Sequence, residues 1–441
     1  MSGPFSIEAL AEALLAGEQI VDQVVTRATW TLGRPWRWLR PLAQRYIEAH
    51  AGRTRPRRRD VVRFLVRDKG FRHARSKYFH ELSIEHLLTE PQQMLPVTAA
   101  TTWALPEIES AGDLATWLGL QTGDLEWFAD LKGLAYKSGS PQLAHYHYRV
   151  LAKGSGGIRL IESPKPRLKE LQRKILSLIL NNIPSHRSVH GFVKGRSIKT
   201  FTAPHVGRRV VLRMDLQDFF PSLSGARIQT VFRTMGYPES VADLLGGICT
   251  NATPRGIWSG CGGAVDLNTL WETRSMYARP HLPQGAPVSP ALANICTYRV
   301  DCRLTGLAKA AGAQYTRYAD DLAFSGGEDF ERCVERFSTH VAVILDEEGF
   351  HVNHRKTRIM RQGVRQHLTG LVINQHASIR RTDFDRLKAI LTNCVRLGPA
   401  SQNRDEHPRF RLHLEGRVGF VESINRAKGK RLRAILDQID W

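Results

Sequence analysis

Apolar residues recur along this chain in two different periods, and the switch between them divides it. In SIEALAEALLAGEQIVDQVV, Ser6 to Val25, they return every three to four positions, which predicts an amphipathic helix with Ser6 placed to cap its first turn. Residues 1–95 are expected to be a helical extension, and PVTAATTWALPEIESAG, with its prolines and small residues, predicts a linker over 96–112. A new unit is expected from Asp113. There DLATWLGLQTGDLEWFADL predicts two short helices, and AHYHYRVLAKGSGGIRLIESPK predicts two strands joined by a glycine-rich turn. PRLKELQRKILSLILNNI, Pro166 to Ile183, returns to the helical period. In RRVVLRMDLQDFFPSL the run Val210, Val211, Leu212 predicts a buried strand that ends on Asp215, with Asp218 on the turn after it. In YTRYADDLAFSG, residues Tyr315, Arg317, Leu322 and Phe324 alternate as two half-buried strands, with Ala319-Asp320 as the tight turn between them. No repeat of solenoid length interrupts the pattern.

Composition narrows the class. The chain has 441 residues, 42% of them hydrophobic, enough for two or three domains with a core that needs no staples. Its 63 Lys and Arg against 42 Asp and Glu leave a formal charge of +21, which implies a polyanionic partner, nucleic acid ahead of an anionic membrane surface. No run reaches the roughly eighteen apolar residues of a membrane span, and the opening MSGPFSIEALAEALL lacks a basic-then-apolar leader, so the expected location is the cytoplasm. The six cysteines have no CxxC spacing and no matching histidine pair. They are expected to be reduced and space-filling, with a bridge or site at Cys249 and Cys261 as the alternative. In TWTLGRPWRWLRPLAQRY, Trp30, Trp36 and Trp38 are expected in a core, while the RTRPRRR run after it is expected to meet nucleic acid.

Candidate chemistry sits at the turn. Two adjacent carboxylates, Asp320 and Asp321, repel one another and lose hydration if buried, and a divalent cation is the most economical compensation. Asp215 supplies a third. Three carboxylates on two neighbouring strands can hold two Mg²⁺ ions about 4 Å apart, one for an attacking hydroxyl and one for a leaving pyrophosphate, which is the chemistry of nucleotidyl transfer. Between Asp215 and the turn lies HLPQGAPVSPALANI, whose prolines Pro283, Pro287 and Pro290 predict a stiff loop running into a helix.

These blocks, in this order, resemble the reverse transcriptases of the bacterial retron type. The blocks are IRLIESPKPRLKELQRKIL, SVHGFVKGRSIKTF, VLRMDLQDFFPSL, LPQGAPVSPALANI, YTRYADDLAFSG, GFHVNHRKTRIM and HLTGLVIN, from about Asp113 to the C-terminal GRVGFVESINRAKGKRLRAILDQIDW. The resemblance departs at Phe201-Thr202-Ala203-Pro204-His205, where only the histidine of the retron Asn-Ala-x-x-His survives, and the family's Val-Thr-Gly is Leu368-Thr369-Gly370. It implies an α+β right-hand polymerase fold. Fingers and palm, an antiparallel sheet with helices, would span 113–374, and a helical thumb 375–441, including RTDFDRLKAILTNCVRL and the last helix. It implies Asp215, Asp320 and Asp321 as metal ligands for two Mg²⁺ ions, with Mn²⁺ the alternative, and Lys356 as proton donor to pyrophosphate, a role open also to Arg355 and Arg358. It implies Phe220 as a sugar gate, Arg159 as a triphosphate contact, Gln284 and Gly285 along the nucleotide, and Lys194 and Arg196 on template or primer. His190 and His205 are expected to hydrogen-bond within the fold.

The implied activity is RNA-directed DNA synthesis from dNTPs. In the retron family a structured noncoding RNA serves as template, priming starts at a guanosine 2′-hydroxyl, and the product is RNA-linked single-stranded DNA (msDNA), in antiphage defence with a separate effector protein. The alternatives are another defence-associated or a group II intron-like reverse transcriptase, the latter disfavoured by the roughly seventy residues after HLTGLVIN, and an inactive polymerase fold that only holds RNA. All three acids are present, which disfavours the last.

Overall fold

The computed structural model describes residues 3–51, 56–88, 94–138, 143–153, 157–259 and 267–441. Arg53 to Arg55 of the basic run, Gly156 of the expected turn and Cys261 lie outside them. The chain forms two compact units: residues 1–183 with 223–292, and residues 184–222 with 293–441.

The first unit begins with five helices, α1 (Ile7–Leu15), α2 (Val21–Leu32), α3 (Leu39–Ala49), α4 (Arg58–Arg67) and α5 (Lys69–Lys77). Ser6 caps α1 as expected, accepting from the Ala9 N–H at 3.3 Å. One face of each helix closes on a core of Leu10, Leu14, Val24, Leu42, Tyr46, Leu65 and Phe71, with Trp36 and Trp38 packed against it. Trp30 differs from expectation: it stays 45% exposed and meets His86 edge-on, since the inward side of α2 is filled by Val24, Ala28 and Leu32. The segment 96–112 is laid down rather than loose. Leu95 N–H donates to the Gly236 carbonyl at 2.9 Å, Ile108 is fully buried, and a Cβ on Gly236 (φ +104) would fall 2.4 Å from the Pro96 nitrogen. Helices α6 (Ala111–Leu118) and α7 (Thr122–Ala129) follow, then the antiparallel hairpin β1 (Tyr146–Ala152) and β2 (Ile158–Pro164). Next comes α8 (Pro166–Leu178), opened by a proline at its first turn, and then α9 (Gly225–Thr234) and α10 (Glu239–Cys249).

The second unit is built on a four-stranded antiparallel sheet. Its strands are β3 (Val210–Asp215), β4 (Gln314–Tyr318), β5 (Asp321–Gly326) and β6 (Arg358–Arg361), in the order β4-β5-β3-β6. The strands expected to be half-buried are covered on both faces, and Leu322 through Ser325 have no exposed surface. Val211 and Ala323 face a layer of Phe201, Leu368, Leu371 and Ile373. Phe324 turns the other way, against Tyr315 (4.9 Å between ring centres) and Phe337 (5.1 Å) of the long helix α12 (Glu328–Glu347), which follows α11 (Tyr298–Ala310). The C-terminal helices α13 (Arg381–Leu397), α14 (Phe410–Ile424) and α15 (Arg426–Leu436) share a separate core around Leu387, Leu391, Leu414, Val418 and Leu432.

Cys249, Cys296, Cys302, Cys333 and Cys394 are thiols outside any disulfide. No helix among the described residues is long and apolar enough to cross a membrane.

His205 locks the sheet from beneath. The Thr316 hydroxyl donates to the Phe201 carbonyl (3.0 Å), so it accepts from His205 Nε2–H (2.7 Å), which leaves Nδ1 to accept from the Ser325 hydroxyl (2.7 Å). Burial, helped by the charges of Arg208 and His190, pushes this imidazole from 6.5 down to about 3. A depressed histidine contributes stability that is fully present above its unfolded value and is lost as pH falls towards the folded one, by about 1.4 kcal/mol per pH unit within that window. Between about pH 7 and pH 5, denaturant titrations should show the wild type losing about 2 kcal/mol more than His205→Gln. Parallel curves would place the proton elsewhere.

Candidate active site

Strand pairing brings the acids together. Asp215, the last residue of β3, is in register with Asp321, the first residue of β5, and the Leu216 N–H donates to the Asp320 carbonyl at 2.9 Å. Tyr318 pairs with Asp321, so Ala319 and Asp320 form the two-residue turn, and Ala319 takes the left-handed φ of 55° that such a hairpin turn requires. Asp215 is 3% exposed. Burial, then the charges of Asp215 and Asp321, raise Asp320 from 3.8 to about 6. Burial raises Asp321 as well, against the pull of Arg213. The three carboxylates thus share one electrostatic neighbourhood.

Two cations answer them. Lys356 Nζ donates to both oxygens of Asp215, at 2.9 and 3.0 Å, and Arg213 donates twice to one oxygen of Asp321, at 2.8 and 2.6 Å. Among the described residues no group of three acids, histidines or cysteines is already closed around one point as a metal cage. Asp215 and Asp321 each lean on a cation instead. The donor set still fits a divalent ion: it is all carboxylate oxygen, with Asp215 buried and Asp320 and Asp321 half-buried, and two cations, Lys356 and Arg213, face the three carboxylates.

The turn is held from behind by Arg317, which has no exposed surface. Its guanidinium grips both oxygens of Asp301 (2.8 and 2.7 Å), then donates to the Asn294 side-chain oxygen and the Ala319 carbonyl, both at 3.1 Å. The Tyr315 hydroxyl donates to Asp301 at 2.8 Å, and the Asn294 amide donates to the Gly191 carbonyl at 2.9 Å. Gly191 lies so close that a Cβ there would stand 2.6 Å from the Ala319 nitrogen. One network therefore fixes the acid-bearing turn and the loop beneath it.

That loop carries other expected site residues. Arg196 donates to the carbonyls of His186, Arg187 and Val189, while Lys194 is exposed. His190 Nδ1 meets the Thr200 hydroxyl at 2.9 Å, within the fold as expected. Phe192, at a left-handed φ of 60° and 55% exposed, faces the rings of Phe220 (6.4 Å) and Tyr318 (6.2 Å). Phe220 is half-buried after the turn at Asp218 (φ 46°) and packs beside Phe219 at 5.4 Å.

Arg159, Gln284 and Gly285 belong to the first unit. Arg159 is exposed on β2, opposite Leu151. The Glu162 N–H donates to the Gln284 carbonyl at 2.9 Å, and Gly285 (φ +136) packs so tightly that a Cβ would stand 2.8 Å from the Glu162 carbonyl oxygen. The Glu162 carboxylate is fully buried. It accepts from Asn251 (2.7 Å) and Thr253 (2.9 Å) and meets His281 Nε2 at 2.9 Å, so the loop is pinned at both ends of His281–Gly285.

Sequence reasoning missed Arg213, Asp301, Asn294, Glu162 and His281. A signal existed for Glu162: in IRLIESP the period of two sets it on the same face as Ile158 and Leu160, where a bare carboxylate must find donors.

Residues 151–382 match the family described as reverse transcriptase (RNA-dependent DNA polymerase). The chain belongs to that family and is an RNA-directed DNA polymerase, with an RNA template and nucleotide substrates. Its relatives place it among the retron-type enzymes. It is 39% identical over 334 residues to the retron Mx65 reverse transcriptase of Myxococcus xanthus, covering 75% of this chain and 72% of that one. It is 35% identical over 350 residues to the retron Mx162 enzyme of the same organism, covering 76% and 68%. Among solved structures, the telomerase of Candida tropicalis superposes with a TM-score of 0.34 at 11% identity, over 63% of this chain and 54% of that one, which carries no argument.

Removing one partner of the Arg317–Asp301 pair strands a buried charge, so Arg317→Met should lower unfolding stability by about 3–5 kcal/mol. Restoring neutrality with Arg317→Met plus Asp301→Asn should recover part of that loss in a denaturant titration. Equal losses in the single and double variants would show that the ion pair is not what holds the turn.

Proposed function

We propose that this chain copies a structured noncoding RNA into RNA-linked single-stranded DNA, primed from a guanosine 2′-hydroxyl, as part of antiphage defence with a separate effector protein, in the cytoplasm. In this reading 113–374 serve as fingers and palm, 375–441 as thumb, and 1–95 as an extension joined through 96–112. The observation that carries the chemistry is the register of Asp215 against Asp321 beside Asp320, with two cations, Lys356 and Arg213, set against the three carboxylates.

Asp215, Asp320 and Asp321 would hold two divalent ions, Mg²⁺ or Mn²⁺, which when bound supply Lewis acidity to the attacking hydroxyl and charge neutralisation to the pyrophosphate. The rest falls to side chains. The attacking hydroxyl releases its proton to solvent as its oxygen forms a bond to the α-phosphorus of the dNTP and the bond to pyrophosphate breaks, and Lys356 Nζ supplies the leaving oxygen with a proton. Its ion pair with Asp215 supports this role, because it holds the ammonium beside the carboxylate cluster. Arg159, exposed on β2, binds the triphosphate. Gln284 and Gly285 lie along the nucleotide, and the pinned loop keeps their backbone from shifting. Phe220 crowds C2′ of the incoming sugar, and its packing against Phe219 and Phe192 keeps the ring from yielding. Lys194 and Arg196 present their loop to the template or primer backbone.

Primer extension with purified protein, RNA template, dNTPs and Mg²⁺ tests this. Asp320→Asn should reduce extension at least about a hundredfold, since metal binding contributes several kcal/mol to the transition state, while RNA binding persists. Activity in both proteins, or in neither across several templates and metals, would overturn it. Phe220→Val should admit ribonucleotides with dNTP incorporation retained, read as the ratio of kcat/KM for rNTP and dNTP. An unchanged ratio would remove Phe220 from the sugar contact.

A further inference from the structure

The consecutive helices α4 and α5 concentrate positive charge that the catalytic reading leaves unused. Between Arg58 and Lys77 stand eight cations and two acids. Both acids are engaged: Asp68 is held by Arg45 at 2.7 Å and caps α5 through the Phe71 N–H, and Asp60 sits by Arg63 at 3.3 Å. Arg67, Lys69 and Arg72 are exposed and have no acidic partner among the described residues. Arg59, Arg63 and Arg67 follow at four-residue spacing along one face of α4, the arrangement in which like charges destabilise a helix. Lys69 opens α5, where its charge opposes the helix dipole and the Asp68 cap, held by Arg45, is the one acid at that end among the described residues. Such a surface is unfavourable on its own and becomes favourable against a polyanion.

We propose that this face is a binding site for double-stranded RNA, the stem of the structured template that the enzyme copies. Three features select that occupant. Successive cations on α4 are spaced by about 6 Å of helix rise, commensurate with neighbouring phosphates along one strand, and Arg presents a planar fork to each. The aromatic residues packed beside α4 and α5 are turned inward: Trp36 lies against Tyr78 (4.8 Å) and Trp38 against Phe71 (5.6 Å), while exposed Phe79 stands beyond the end of α5 and exposed Trp30 belongs to α2. The apolar faces of both helices, Val61, Leu65, Phe71 and Ala74, are buried in the bundle, so no apolar stripe remains to enter a membrane. These helices fall outside the residues 151–382 that match the family model. The inference rests on the enzyme's use of RNA, and not on the roles given to Asp215, Asp320 or Asp321.

The test compares the full-length wild type with the triple variant Arg67→Gln, Lys69→Gln, Arg72→Gln. The probe is a labelled RNA hairpin of about 20 base pairs, titrated across a range of salt concentrations. Affinity should fall about tenfold or more at low salt, and the slope of log affinity against log salt should become shallower by about two to three, roughly one unit for each phosphate left without its cation. The lysine variant Arg67→Lys, Arg72→Lys should keep the wild-type slope. The triple variant should melt no lower than wild type, because repulsion has been removed, and its kcat at saturating primer–template should be unchanged. An unaltered slope overturns the proposal. So does a loss seen only with unpaired RNA of the same length, or only with phosphatidylserine vesicles. Loss of extension in Asp320→Asn with this binding intact separates the two sites.

Discussion

Arg317 against Asp301 is the interaction on which the site's geometry depends. A two-residue turn that exposes adjacent carboxylates is intrinsically unstable: its backbone is in the left-handed region at Ala319, its acids repel one another, and it sits beside fully buried strands. Something rigid must hold it, and an aliphatic side chain could not, because the group needing a donor is the Ala319 carbonyl. Arginine can donate in several directions from one plane, and here it reaches a carboxylate, an amide and that carbonyl together. Its charge is tolerable in the interior only because Asp301 sits on α11 with both oxygens facing it and the Tyr315 hydroxyl satisfies one of them further. The gain is specificity of one turn geometry, since an apolar pair of equal volume could pack as well but would leave the turn unheld.

The charge arrangement follows from that constraint. Once β3 and β5 are in register, Asp215 and Asp321 cannot avoid each other, and Asp320 adds a third charge next door. Lys356 and Arg213 absorb part of it, and both side chains are partly open to solvent, so they can exchange partners at small cost. The acids stay fixed because they are delivered by strand ends whose neighbours are fully paired, whereas the cations reach them on long side chains. A site of this design has firm acids and mobile counter-ions, which suits the proposed chemistry, in which a phosphate chain displaces one cation and recruits another.

How far the sequence could be read depended on whether a residue's role is written in local pattern. The hairpin, the strand ending at Asp215, the Ser6 cap and the stiff loop into the helix at Ser289 all follow from period, turn chemistry and proline, and the structure has them. What stayed hidden needed partners far apart in the chain. Glu162 meets His281 across 119 positions and Arg213 meets Asp321 across 108, and nothing in the spacing of either announces the other. Burial on both faces of β5 was hidden for a related reason: alternation predicts one wet face, and only the packing of Phe201 on one side and α12 on the other removes it.

A net charge of +21 and a half-buried acidic cluster on one chain are complementary. The long-range field of the excess cations draws a polyanion towards the protein at distances where three carboxylates are screened or outweighed. At close range the balance inverts, because a phosphate brought against Asp215, Asp320 and Asp321 without neutralisation meets like charge at low dielectric. In the proposed function, attraction and chemistry fall to different residues: surface arginines and lysines for holding, the three aspartates for selecting when a phosphate approaches. A protein that only held RNA would have no physical reason to bring three carboxylates together, since their mutual repulsion lowers stability with no compensating interaction with RNA.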